Sequence, residues 1–338
     1  MKKSLLYIGN DLQQDANNPT YMAGLSVALR DEGYYVKTAS SKSNKVLRLF
    51  DMCTTLFRLR KKVDFVLIDT YSTQNFYYAY VIGLLCRFYK LDYIPILHGG
   101  KLPKRLIHSP ILCKHLFGKA HVNVSPSAYL LAAFHERNFL NTICIPNAIK
   151  LEDFTYKERV SVLPLKIFWM RSFKDIYNPL LALKVLEQLK TQFTDVQMTM
   201  AGPASDSTLE QCKKFAIQNK LPVTFLGKLS RAEWAQKATE HNLFLNTSRF
   251  DNMPLSLLEA MALGLPVVST NVGGIPHFIE NGREAILVDQ ELADPFCVAI
   301  SRLATSLGMV KKLSQNGREK ATDYDWPHIM EQWTMLLS

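Results

Sequence analysis

The chain alternates short apolar runs with stretches whose apolar residues recur every three to four positions. Runs rich in Val, Ile, Leu and aromatics read as strands buried on both faces, and the 3.6-residue period reads as helix. Over the first half this pattern predicts strands at 5–9, 35–39, 65–69, 93–97, 122–125 and 142–146. Helices are predicted between them at 20–32, 46–60, 74–89 and 128–138. Residues 150–163 are charged and lack a sustained apolar period, so they read as a linker. Alternation then restarts, with strands at 166–170, 196–201, 223–226, 243–246, 267–269 and 285–288. The helices of this half are expected at 180–190, 209–219, 231–240, 254–263 and 295–306. A βαβα rhythm of this kind builds a parallel sheet covered on both faces. The pattern therefore predicts an α/β chain of two doubly wound, Rossmann-like domains, at 1–155 and 160–325.

Length agrees with two domains, since 338 residues are long for a single core. The six cysteines are scattered, with no CxxC pair, which argues against a zinc site or disulfide framework and suits a reducing compartment. The apolar start at Leu5–Gly9 is too short for a leader and reads as a first strand. The longest apolar run, 76–86, is about half a membrane span, so no transmembrane helix is expected. Charge is unevenly placed. Residues 1–150 carry 20 Lys and Arg against 9 Asp and Glu, a net of +11, while 151–338 carry 20 against 21. The basic half implies an anionic partner: a membrane surface, a nucleic acid or a phosphorylated substrate.

The most informative stretch runs from Phe250 to Val268. It sets Asp251 and Glu259 eight positions apart. Pro254 can open a helix, and Gly264 followed by Pro266 can close it. Asp251 then lies in the loop before the helix and Glu259 about one and a half turns inside. Leu257, Leu258, Ala260 and Met261 flank Glu259, and a carboxylate in such surroundings is costly unless something binds it. The alternative is a buried acid satisfied by a local arginine such as Arg249. His98, Arg171, Gly202 and residues 248–251 all follow predicted strands, where ligands bind in open α/β sheets. No G-x-G-x-x-G follows the first strand, so the dinucleotide fingerprint is absent.

Phe250–Val268 resembles the E-x7-E signature of the family-four retaining glycosyltransferases, glycosyl transferases group 1. The likeness extends to 145–149, 200–203, 225–227, 271–276, 280–282 and 324–327, the last of which implies a final helix within 326–338 that packs back on the first domain. It is strong over 140–338 and thin over 1–140, where His98-Gly99 is the best match. It implies the GT-B fold, two Rossmann-like domains facing an interdomain cleft, with acceptor bound by the first and nucleotide-sugar donor by the second. By the resemblance Glu259 accepts from the ribose hydroxyls, Asp251 holds donor-sugar hydroxyls and His98 contacts the sugar. Arg171 and Lys174 supply cations for the diphosphate, where arginine suits bidentate contact. Gly202, Pro254 and Leu255 line the donor site, the helix start and Gly273-Gly274 offering backbone N–H groups.

Three departures stand out. Asp251 occupies a place where the family usually has Glu. Lys174 stands two residues earlier than the family's lysine, and Tyr177 is a rival for the diphosphate. The first loop, 10–21, lacks the family's Gly-Gly turn, leaving Asn17 and Thr20, with Lys101, as acceptor-side candidates.

The implied reaction is transfer of a sugar from a nucleotide-diphosphate sugar to a saccharide or lipid-linked acceptor in glycan biosynthesis. The leaving phosphate takes the acceptor proton. With fixed cations and backbone donors at the diphosphate, neither cofactor nor metal is expected. The alternatives are a nucleotide-sugar epimerase or hydrolase on the same fold, or an inactive basic protein that binds membrane or polymer. Residues 45–62 set apolar positions between basic ends, which suits either contact with anionic membrane or a core-facing helix with a solvated rim. No nucleic-acid partner is expected. The expected location is cytoplasmic, at the inner face of the membrane.

Overall fold

A computed structural model describes residues 2–9, 20–289 and 291–338. The chain divides into two compact units, residues 1–147 with 326–338, and residues 148–325. The first unit follows the predicted rhythm: β1 (Ser4–Ile8), α1 (Tyr21–Asp31), β2 (Tyr35–Ala39), α2 (Lys45–Leu59), β3 (Phe65–Thr70), α3 (Asn75–Tyr89) and β4 (Asp92–Leu97). It continues through α4 (Leu102–His108), α5 (Pro110–Phe117), β5 (Asn123–Ser125), α6 (Ala128–His135) and β6 (Thr142–Cys144). The strands pair in parallel in the order β2-β1-β3-β4-β5-β6. Polar caps start several helices. Thr20 Oγ1 accepts from the Ala23 N–H, and Asn44 Oδ1 from those of Val46 and Leu47.

Helices α4 and α5 lie where the apolar pattern predicted no element. Each is short, with Pro103 or Pro110 in its first turn, and only Leu102, Leu106, Cys113, Leu116 and Phe117 turn inward. Seven or eight residues hold too few turns for a clear apolar period.

The second unit contains β7 (Lys166–Met170), α7 (Pro179–Gln192), β8 (Gln197–Ala201), α8 (Thr208–Gln218), β9 (Val223–Phe225), α9 (Arg231–Ala238) and β10 (Leu243–Asn246). It ends with α10 (Leu255–Ala262), β11 (Val267–Thr270), β12 (Ile286–Val288), α11 (Ala293–Thr305) and α12 (Leu307–Thr322). All its strands are parallel, in the order β12-β11-β10-β7-β8-β9. Helix α12 escaped the sequence pattern because its inner face is small and polar: Ser314, Gly317 and Ala321 join Val310 and Leu313. A Cβ on Gly317 would lie 3.2 Å from Met261 Cγ, so α12 packs closely on α10 there.

Two boundaries differ from expectation. The change of unit falls between 147 and 148 rather than near 155–160. The expected linker, 150–163, is built into the second unit. Phe154 and Val162 are buried, and the buried Arg159 guanidinium donates to the carbonyls of Ala238, His241 and Leu263 at 3.2–3.4 Å. A charged residue that satisfies backbone carbonyls hides its structural role from a polarity pattern. The last helix, α13 (Trp326–Leu336), belongs to the first unit. There Trp326 stacks on Tyr21 with ring centroids 6.0 Å apart.

Candidate active site

The second sheet reverses its strand order between β7 and β10. At such a switch point the loops beyond the two strands part and leave a crevice for a ligand. Arg171 follows β7 and residues 247–254 follow β10, so both come to that crevice. The Arg171 guanidinium forms an ion pair with the Asp251 carboxylate. It also lies 4.2 Å from the centroid of the Tyr177 ring, which joins two of the three diphosphate candidates in one contact.

The loops are held from below. A buried network runs from Ser248 Oγ to Asn246 Oδ1 at 2.8 Å and from Asn246 Nδ2 to Ser269 Oγ at 2.9 Å. Thr270 Oγ1 donates to the Ser248 carbonyl at 2.6 Å. Glycines permit the closest approaches. A Cβ on Gly202 would lie 1.9 Å from the Arg171 carbonyl oxygen, and one on Gly273 would lie 2.1 Å from that of Asp251. The Gly274 N–H donates to the same Asp251 carbonyl at 2.8 Å. Gly202 and Gly273 thus let the Arg171 and Asp251 backbones approach closely, and the Gly274 N–H is already engaged within the loop.

Glu259 sits inside α10, which begins at Leu255 with Pro254 as its N-cap. Its side chain is only 9% exposed. The cation facing it is Arg231 of α9, whose Nε lies 3.6 Å from Glu259 Oε1 and whose Nη1 lies 3.9 Å from Asp153. Arg249, the neighbour expected from sequence, instead pairs with Asp175 and with Glu291, the latter at 2.9 Å. Burial pushes the Glu259 carboxyl up to about 7, against the opposing pull of Arg231, the Trp234 side chain and Arg171. Burial also raises the Asp251 carboxyl, with Arg171 and the Asn252 N–H pulling it back. Arg171 Nε, Ser256 Oγ and Asn271 Oδ1 are buried with no hydrogen-bond partner among the described residues. Buried polar atoms of this kind ordinarily find a partner.

In the first unit the order reverses between β1 and β3. His98 follows β4, and its Nε2 lies 2.7 Å from Asp69 Oδ1 at the end of β3. The Tyr7 hydroxyl of β1 donates to the same oxygen at 2.8 Å. Tyr21 and Tyr71 pack on the imidazole, with centroids 5.4 and 5.2 Å away. Sequence reading found His98 but missed Asp69 and Tyr7. The signal was an acid ending the apolar run Phe65–Ile68, the same kind of anomaly that singled out Glu259.

The remaining candidates are less closely drawn in. Lys174 is exposed, and its charge acts on the Asp206 carboxyl. Thr20 caps α1 with its hydroxyl, Lys101 is exposed at the start of α4, and Asn17 lies outside the described residues. Among the described residues no group of three or more His, Cys, Asp or Glu could hold a metal ion, and no helix is long and apolar enough to cross a membrane.

A family model described as Glycosyl transferases group 1 matches residues 165–306. An uncharacterised glycosyltransferase of Haemophilus influenzae is 22% identical over 156 residues, 46% of this chain and 44% of that protein. The match thus spans less than half the length of that curated relative. The sucrose-phosphate synthase of Thermosynechococcus elongatus superposes with a TM-score of 0.81 at 16% identity, covering 99% of this chain and 98% of that one. HepE of Anabaena, in complex with UDP and glucose, superposes with a TM-score of 0.78 at 14% identity, covering 99% of both chains.

Proposed function

From residues 165–306, which match the glycosyl transferases group 1 model, in a chain with the GT-B fold, we propose a retaining glycosyltransferase. It moves a sugar from a nucleotide-diphosphate sugar to a saccharide or lipid-linked acceptor. One observation carries this reading: the buried Glu259 carboxyl, raised to about 7 although Arg231 faces it, follows the switch-point loop in which Asp251 pairs with Arg171. A carboxylate so placed is matched to ribose hydroxyls, which donate, and a guanidinium to phosphate oxygens, which accept.

In the reaction the bond between the anomeric carbon and the leaving phosphate oxygen breaks, and the acceptor oxygen bonds to that carbon on the same face. The acceptor proton passes to the leaving phosphate. Negative charge builds on the diphosphate, so a fixed cation there lowers the barrier. Arg171 supplies it, buttressed by Tyr177, with Lys174 as the second cation and no metal. Asp251 gives up part of its ion pair to bind donor-sugar hydroxyls, and His98 contacts a sugar hydroxyl. Complexes of a fold neighbour with UDP and glucose support a uridine donor as the first probe.

The first unit takes the acceptor and docks on the cytoplasmic face of an anionic membrane. Support comes from the +11 charge of residues 1–150 and from Val46, Leu47, Phe50 and Phe57 of α2, all at least half exposed.

Thermal shift and calorimetry with a panel of nucleotide sugars and diphosphates test the reading. At least one donor should stabilise the wild type, and Glu259→Ala should weaken it by about 10- to 100-fold, the worth of a hydrogen bond to a charged group. Binding by none of them would sink the transferase reading. Donor consumed without need of an acceptor would point to a hydrolase.

A further inference from the structure

We propose that Asp69 is a positioning residue: its carboxylate holds His98 with the proton on Nε2, so that Nδ1 is presented to a hydroxyl of the sugar substrate. The substrate's identity rests on the transferase reading; the pairing rests on the geometry alone.

The Asp69 side chain is 4% exposed and that of His98 10%. Two groups lie within hydrogen-bonding distance of one carboxylate oxygen, His98 Nε2 at 2.7 Å and the Tyr7 hydroxyl at 2.8 Å. An ionised carboxylate only accepts, so both neighbours must donate. Tyr7 is fully buried and keeps its proton, because burial, with Asp69 next in strength, raises its phenol. His98 must therefore carry hydrogen on Nε2, which makes Nδ1 the nitrogen left for a ligand. Among the described residues no hydrogen bond engages Nδ1.

The backbone enforces the arrangement. In the β3–β4 register Asp69 stands opposite Ile96 and Thr70 opposite Leu97, and the His98 N–H donates to the Thr70 carbonyl at 2.9 Å. Gly9, just past β1, leaves the carboxylate its space: a Cβ there would lie 2.4 Å from Asp69 Oδ2 and 2.8 Å from Met22 Sδ. Tyr21 and Tyr71 flank the imidazole and restrict its rotation. A histidine needed only for packing would not require a buried acid, a buried phenol and a glycine to set its tautomer. Partners of this sort fix which nitrogen acts.

The tautomer is read from two-bond ¹H–¹⁵N spectra of histidine-labelled protein, recorded on the alkaline limb of a pH series where the ring ¹⁵N shifts no longer change. The His98 signal is assigned by its loss in His98→Gln. The wild type should show the Nε2–H form, and an Nδ1–H form or a free mixture overturns the proposal without any variant. Asp69→Asn should shift His98 toward a mixture and lower kcat by about 10- to 100-fold, with donor KM changed less than about threefold. Tyr7→Phe, which leaves the Asp69–His98 contact in place, should keep the tautomer. An unchanged His98 signal in Asp69→Asn overturns the proposal, as does a loss confined to thermal stability. If the wild type turns over no donor, the transferase reading fails while the spectrum still decides the pairing.

Discussion

Glu259 illustrates how one residue carries both cost and function. Its carboxyl is raised from 4.5 to about 7, mainly by burial. Between those values the folded chain binds a proton that the unfolded chain has released, so stability falls as pH rises through this window. The contribution is fully present below 4.5 and lost above 7, a difference of about 3 kcal/mol. Glu259→Gln removes the penalty. Its unfolding free energy relative to wild type should therefore climb by about that amount between pH 4.5 and 7 and then level off. Urea titrations at a series of pH values check this, and a pH-independent difference would contradict it. The same substitution should weaken UDP, since an amide is a poorer acceptor for two hydroxyls than a carboxylate. Stability gained with affinity lost is the signature of a group kept for its ligand.

At the scale of elements, the site depends on strand ends brought closer than side chains allow. Gly202 at the end of β8 has φ of +147° and almost touches the Arg171 carbonyl at the end of β7. Gly202→Ala must push these ends apart, and we expect a loss of about 1–3 kcal/mol. UDP affinity should fall with it, because the displaced segment carries Arg171. Equal stability of the variant would show that the approach is not a constraint. Helix α10 makes the complementary point. Every residue from Ser256 to Ala262 is buried, so the helix cannot shift to spare Glu259. Its position is set by packing on α12, whose small and polar inner face left little trace in the hydrophobic pattern.

For the molecule as a whole, the asymmetry of charge meets an asymmetry of surface. Met52 and Leu56 turn α2 toward the core, while Val46, Leu47, Phe50 and Phe57 face outward. The Arg60 guanidinium lies 3.9 Å from the Phe57 ring centroid, so a cation stands beside exposed apolar surface. Of the two readings of 45–62, the core-facing one holds for Met52 and Leu56, and the exposed apolar residues leave contact with an anionic membrane as the one to be tested. Phe50→Glu combined with Phe57→Glu should cut flotation with anionic vesicles by about tenfold or more, given the worth of burying an aromatic ring. Both rings are at least half exposed, so stability should change by less than about 0.5 kcal/mol each. Undiminished recovery would remove α2 from the docking surface.

Much of this was legible in the chain because the physics is local. Apolar runs of strand length, helical periodicity and proline and glycine at helix ends predict two parallel sheets, and the carboxylate pair with Arg171 was visible as an anomaly within that pattern. What sequence left open was what distant segments do to one another. That Arg231 and not Arg249 faces Glu259, that Tyr177 buttresses Arg171, and that Asp69 with Tyr7 holds His98 all follow from strand order and register. The supposed linker joined the second unit for the same reason, since Arg159 is satisfied by carbonyls from elements about 80 to 100 residues away. Periodicity decides which face of an element is buried; only the tertiary structure decides which neighbour it is buried against, and the chemistry of a site lies in those neighbours.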